Sequence, residues 1–246
     1  MRVSVRVVAD YVIFAFAFLI ISIVFIKSAA VVPVPSVSDE IEEKPTENKP
    51  VFVIDPGHGG EDGGAEVGGV LEKNINLDVS LKLADICTLF GYGTRLTRDD
   101  DRLLYDAFDE LEDYSGKKKT YDLRNRLRIA EESEPELFIG IHMNKFPETQ
   151  YKGLQVWYSP NHDESREAAE FVRSYAKTYI DPANKRETKA AGKSIYILNR
   201  IDIPAILIEC GFLSNDSERA LLLTRDYQSK LAAVIFASCA EFVSIE

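Results

Sequence analysis

Four residues in this chain have the types and placement to carry out a hydrolysis: His58, Glu72, His142 and Glu209. Only three histidines are present, and two of them stand where an apolar, strand-like run stops. One run, Val51 to Asp55, breaks at Pro56-Gly57 and leaves His58 on a loop; another, Leu137-Phe138-Ile139-Gly140-Ile141, ends in His142. A third, Ala205-Ile206-Leu207-Ile208, closes on Glu209, and Glu72 opens an amphipathic helix. Two imidazoles and a carboxylate would fill three positions of a tetrahedral zinc and leave the fourth for water. The remaining carboxylate, Glu209, would then serve as general base.

The elements that must position these residues alternate in type. Strands are expected over Val51–Asp55, Gly93–Arg98, Leu137–Asn144, Gly153–Ser159, Ser194–Leu198 and Ala205–Glu209. Between and after them, helical spacing of apolar residues runs through Asn74–Phe90, Asp122–Glu131, Asp163–Ile180, Asp216–Leu223 and Tyr227–Val243. Asp163 stands where an N-cap is expected, and Gly91 marks a helix stop. Asp99 to Thr120 is polar and aperiodic and reads as a loop. This alternation predicts one α/β domain, a sheet of about six strands flanked by helices. Ligands of such sheets bind beyond the carboxyl ends of the strands, where His58, His142 and Glu209 all fall. Glu72 reaches the same edge if the glycine-rich segment Gly59–Gly69 folds back on itself.

Upstream, Arg2 and Arg6 precede an uncharged apolar run from Tyr11 to Ile26. That pattern reads as an uncleaved signal-anchor over residues 1–30, arginines inside, with a membrane partner and an exported domain. Residues 31–50 hold Pro33, Pro35, Pro45 and Pro50 among Ser, Glu and Lys, a linker without a core of its own. The catalytic domain is therefore assigned to 51–246. A formal net charge of −11 argues against nucleic acid as a partner, since phosphates call for a basic face. The three cysteines, Cys87, Cys210 and Cys239, form no Cys-x-x-Cys pair and fall on apolar faces or in a strand, so they read as buried free thiols.

Taken one at a time, the candidate residues have plainer readings. A histidine after a strand is usually a loop or capping residue, and a glutamate at a helix start commonly serves the helix dipole. Glu209 is different, because a carboxylate that closes an apolar strand is buried and needs a partner. His162, in Pro160-Asn161-His162-Asp163, reads as a turn residue and is set apart from the site.

Five linked motifs add to this. They are Asp55-Pro56-Gly57-His58-Gly59-Gly60, Gly69-Val70-Leu71-Glu72-Lys73, Leu96-Thr97-Arg98, Ile141-His142-Met143-Asn144 and Ile208-Glu209-Cys210-Gly211-Phe212-Leu213-Ser214-Asn215. In type and order they resemble the zinc-dependent N-acetylmuramoyl-L-alanine amidases, from Val51 to about Phe242. The resemblance implies that His58, Glu72 and His142 bind Zn2+ and that Glu209 is the catalytic carboxylate. It further implies peptidoglycan as substrate, cut between N-acetylmuramic acid and the L-alanine of the stem peptide. A short chain with one N-terminal segment and no wall-binding repeat resembles the sporulation, CwlD-like branch. Gly192-Lys193-Ser194-Ile195-Tyr196-Ile197-Leu198 and Tyr121-Asp122-Leu123-Arg124 are further points of similarity. That branch implies a role in spore cortex, where stem-peptide removal precedes muramic δ-lactam formation and germination. It also implies an activating lipoprotein partner and a location between the forespore membranes. Two positions depart from the pattern: Gly140 stands where the family commonly has Ser, and Lys145 where a small residue is usual. The competing readings are another zinc peptidoglycan peptidase and an inactive wall-binding scaffold.

Overall fold

The structure, a computed structural model, describes residues 52–244; the expected membrane segment at 1–30, the linker at 31–50 and Val51 lie outside these residues. No helix among the described residues is long and apolar enough to cross a membrane. The chain enters on β1 (Phe52–Pro56) and turns through a small hairpin, β2 (Glu66–Val67) and β3 (Val70–Leu71). Gly68 and Gly69, at the hairpin's tip, both have positive φ, the backbone that a two-residue type I′ turn requires. Helix α1 (Glu72–Leu89) follows directly and stops at Gly91, whose φ of +80° lets the chain reverse into β4 (Thr94–Leu96). A long loop leads to α2 (Lys118–Ser133), then β5 (Leu137–Asn144), β6 (Gln155–Tyr158), α3 (Asp163–Tyr179) and β7 (Lys189–Ala190). The chain ends with β8 (Ala205–Phe212), α4 (Asp216–Leu222) and α5 (Arg225–Ser244).

Six strands make one sheet in the order β4-β1-β5-β8-β6-β7. The four strands from β4 to β8 run parallel, and β6 lies antiparallel to β8. Parallel strands joined by helical crossovers are covered on both faces, which is why β1 and the first five residues of β5 are buried without interruption. On one face, Ile54, Ile139, Ile141, Ile206 and Ile208 pack against α1, α3 and α5 through Val79, Leu83, Val172, Leu231 and Ile235. On the other, Val53, Phe138 and Ala205 meet Ala130 of α2 together with Ile197, Leu198 and Ile201. All three cysteines are free and buried; Cys210 points into the three-helix face, as alternation from Glu209 requires.

The segment Ser194–Leu198 is not the strand its apolar residues suggest. Ile195 N–H donates to Gly192, Asn199 N–H to Ile195 and Ile201 N–H to Ile197, a succession of turns. Its apolar side chains cover sheet surface that α2 leaves open, and the edge beside β6 is held by Lys189–Ala190 instead. Asp163 is the first residue of α3 rather than its cap, which is His162. Helix α2 begins earlier than Asp122, so Lys118 and Lys119 form its first turn.

Candidate active site

His58, Glu72, His142 and Glu209 come together at the carboxyl edge of the parallel strands. His142 and Glu209 are register partners on adjacent strands, β5 and β8, so their side chains leave the sheet on the same face. That face is the one opposite the three-helix layer. His58 lies two residues past β1, and Glu72 is the first residue of α1, returned to the sheet by the β2–β3 hairpin. Lys145, just after β5, donates from Nζ to the carbonyl of Glu66 at 3.0 Å and ties the hairpin to the strand end. Gly140, the other departure from the amidase pattern, makes only ordinary contact with Leu207, and a Cβ would fit there.

Glu72 is the hub. Its Oε1 lies 2.9 Å from His142 Nδ1 and accepts from Met143 N–H, and its Oε2 lies 3.3 Å from His58 Nε2 and accepts from Ala65 N–H. Burial opposes its charge, but hydrogen bonds from His142 and His58 hold its carboxyl far below the usual range. Burial would pull the His58 imidazole down, yet hydrogen bonds that it donates to the Asp62 and Glu72 carboxylates raise it to about 9. His58 Nδ1 meets Asp62 Oδ2 at 3.0 Å, so Nε2 is the nitrogen turned toward the hub. A carboxylate on the far nitrogen of an imidazole is the usual support of a metal-ligating histidine. One donor atom each from His58, Glu72 and His142 lies within 4.8 Å of the others, a set that could hold a metal ion.

Glu209 differs from the other three: its Oε2 is buried and has no hydrogen-bond partner among the described residues. Desolvation raises its carboxyl to about 7, with His142 working against the shift and Glu72 adding to it. A carboxylate poised near neutrality, with an open oxygen beside a cluster of metal-type donors, can take and return a proton.

The loop that presents His58 is held from beneath. Arg126, on α2 and almost fully buried, donates to Asp55, to Asp122, and to the carbonyls of Pro56 and His58. Arg98 donates to the carbonyls of Pro56 and Gly57, and Asn76 also reaches Gly57. Three successive carbonyls are thus fixed, and with them His58, whose φ of +63° is uncommon for a residue other than glycine. Glycine is required at Gly57 because a Cβ there would fall into the His142 ring, and at Gly64 because it would meet Glu72 Oε2.

These supporting groups are the part that sequence reading missed. Asp122, Asn125, Arg126 and Ile129 share one face of α2 at helical spacing, and polar residues at core-facing positions are the signal that could have revealed them. His162 lies apart from the cluster, near Asp202 and Glu164. The one helix between His142 and Glu209, α3, packs on the three-helix face through Ala168, Ala169 and Val172, so it does not block the site.

Comparison with known proteins points the same way. Residues 52–241 match the Amidase_3 family model, described as N-acetylmuramoyl-L-alanine amidase. The germination-specific N-acetylmuramoyl-L-alanine amidase of Bacillus subtilis is 35% identical over 186 residues, 76% of this chain and 76% of that protein. Among solved structures, the CwlD amidase of Clostridioides difficile, in complex with the GerS lipoprotein, is 36% identical with a TM-score of 0.74, covering 79% of this chain and 98% of that one. AmiC2 of Nostoc punctiforme is 32% identical with a TM-score of 0.66, over 80% and 98%.

Proposed function

Since the chain belongs to the N-acetylmuramoyl-L-alanine amidases, hydrolases of a carbon–nitrogen bond in peptidoglycan, we propose that it cuts this bond with zinc held by His58, Glu72 and His142 and with Glu209 as general base. Nitrogen and oxygen donors of this kind suit zinc, and the Asp62 contact fits a ligating His58. When bound, zinc supplies Lewis acidity, polarising a carbonyl and lowering the pKa of a water toward about 7. Glu72, ionised and fixed by backbone N–H groups, orients both imidazoles. Glu209 takes a proton from the attacking water and delivers it to the nitrogen of L-alanine as the carbon–nitrogen bond breaks. The acid product stays on the lactyl group of muramic acid, and the stem peptide leaves with a free amine. No serine or cysteine is placed as a nucleophile; Cys210 lies on the opposite face, and burial drives its thiol up.

The observation that carries this reading is the buried, unpartnered Oε2 of Glu209, on the same face and in register with His142. The finer assignments rest on likeness to the germination-specific and CwlD relatives. In this reading the protein acts outside the cytoplasm in spore cortex maturation; the sequence pattern supports residues 1–30 as its membrane segment, 31–50 as linker and 51–246 as catalytic domain. A lipoprotein partner is extended from the CwlD complex. The test is mass spectrometry of peptidoglycan incubated with the protein and zinc. Release of intact stem peptides with free L-alanine amino termini is expected, and Glu209→Gln should retain zinc while losing about 10³-fold in rate. Cleavage inside the stem would replace the amidase reading with a peptidase one. A chain that binds no zinc and cuts nothing would make it a scaffold.

A further inference from the structure

Beyond Glu209, along the same face of the sheet, lies an open cavity of about 440 Å³. Gln155, the register partner of Glu209 on β6, and Asn144, two residues past His142 on β5, form its inner wall with Trp157 and Phe212. Phe146 and Tyr151, half exposed and in edge-to-face contact at 4.9 Å, stand at its mouth. A volume of this size accommodates a short peptide segment or a small ligand.

Two cations line the cavity, Arg186 and Lys189. The Arg186 guanidinium lies 4.4 Å from the Phe212 ring centroid, and its Nε and Nη1 are anchored by the Lys152 carbonyl and Gln155 Oε1. Lys189 Nζ sits 5.6 Å from the centroid of Trp157. Among the described residues, neither forms an ion pair with a carboxylate. Glu218 feels the charge of Arg186, but its own oxygens accept from Gly153 and Phe212 N–H. In a chain with a net charge of −11, two cations fixed on aromatic rings without acidic partners mark a place prepared for an anion.

We propose that this cavity is the stem-peptide subsite and that Arg186 and Lys189 select a free carboxylate on the peptide. The assignment rests on the amidase reading above. Residues two apart on a strand are about 7 Å apart, and an extended peptide advances about 3.3–3.6 Å per residue. From the His142–Glu209 pair, a peptide running toward Asn144 and Gln155 therefore brings its second or third residue over the cavity. In a γ-linked stem peptide the second residue carries a free α-carboxylate, and a third residue that is a diamino diacid carries another on its side chain. Either would meet the guanidinium, whose Nη2 makes no hydrogen bond within the protein among the described residues.

The test compares muramoyl tetrapeptides with a diamino diacid at the third position, differing by one amide: the second residue's α-carboxylate and the third residue's side-chain carboxylate both free, the former amidated, or the latter amidated. For the full chain with zinc, amidating the selected carboxylate should lower kcat/KM about tenfold, chiefly through KM. In Arg186→Gln and in Lys189→Gln the ratio between free and amidated substrates should collapse toward one. Lys189, exposed and with no side-chain hydrogen bond among the described residues, gives a variant whose folding is not at stake. Calorimetric titration of Glu209→Gln with the free stem peptides supplies a readout that does not depend on cleavage. If no muramoyl peptide is cut, the amidase reading fails, and the calorimetric preference alone still decides the subsite. Equal kcat/KM and equal binding for all three peptides would overturn it, as would a loss in both variants that spares the ratio.

Discussion

The two faces of one sheet have been given opposite work. Ile54, Ile139, Ile141, Ile206 and Ile208 project into a layer beneath three helices that is held mainly by apolar contacts, interchangeable in kind. On the reverse, Val53, Phe138 and Ala205 still pack on Ala130, Ile197 and Leu198, but toward the carboxyl edge the alternate residues are Asp55, His142 and Glu209, with Arg126 buried against Asp55. Because side chains alternate along a strand, each residue spent on chemistry is flanked by residues spent on packing. The apolar layer fixes where the strands lie. The polar layer fixes where donor atoms point, and it does so with hydrogen bonds, which tolerate less displacement than van der Waals contacts do.

That division can be broken from either side, and the largest effect is expected at the ligands. His58→Ala should remove both bound zinc and all measurable hydrolysis, read by metal analysis and by peptide release. The next effect is at the support. Arg126→Met leaves Asp55 and Asp122 buried without their cation and frees the His58 carbonyl. It should cost about 3–5 kcal/mol in urea unfolding and weaken zinc binding as well. On the other face, Ile235→Ala should cost about 2–5 kcal/mol while leaving zinc affinity and KM of the folded protein unchanged. If Ile235→Ala altered zinc affinity as Arg126→Met does, the two faces would not be separable. The smallest effect is in protons. His58 at about 9 is mostly protonated at pH 8 in the metal-free site, whereas Glu209 at about 7 is mostly ionised. Zinc needs the neutral imidazole, so binding at pH 8 should release about one proton from His58. Affinity should then rise with pH and level off above about 9. Calorimetry in buffers of different ionisation enthalpy measures this.

The same division explains what could be read from the chain beforehand. The apolar layer announces itself by period: Leu137–Asn144 is a strand over the residues expected, and α1 and α3 differ from expectation by only a residue or two at their ends. The four residues that come together were legible from their placement: His58, His142 and Glu209 each follow an apolar run, and Glu72 opens a helix. The clamp of Arg98, Arg126 and Asn76 was not, because an arginine is normally solvated, and a shared face with Asp122, Asn125 and Ile129 is all that separates Arg126 from Arg124 and Arg128. The tertiary fold is what turns that polar face inward. Ser194–Leu198 misled for the converse reason: its apolar residues satisfy a sheet face from turns, and composition does not distinguish that from a strand.

The outermost strands have a consequence of their own. The sheet ends on one side in β4, three residues long with Arg95 exposed, and on the other in β7, two residues long with Lys189 exposed. A foreign strand seeking to extend the ladder would find at most a few free backbone groups and a cation beside them at either border. Among the described residues, the two borders are thus poorly suited to growth by addition of further chains, which keeps copies from zipping together edge to edge.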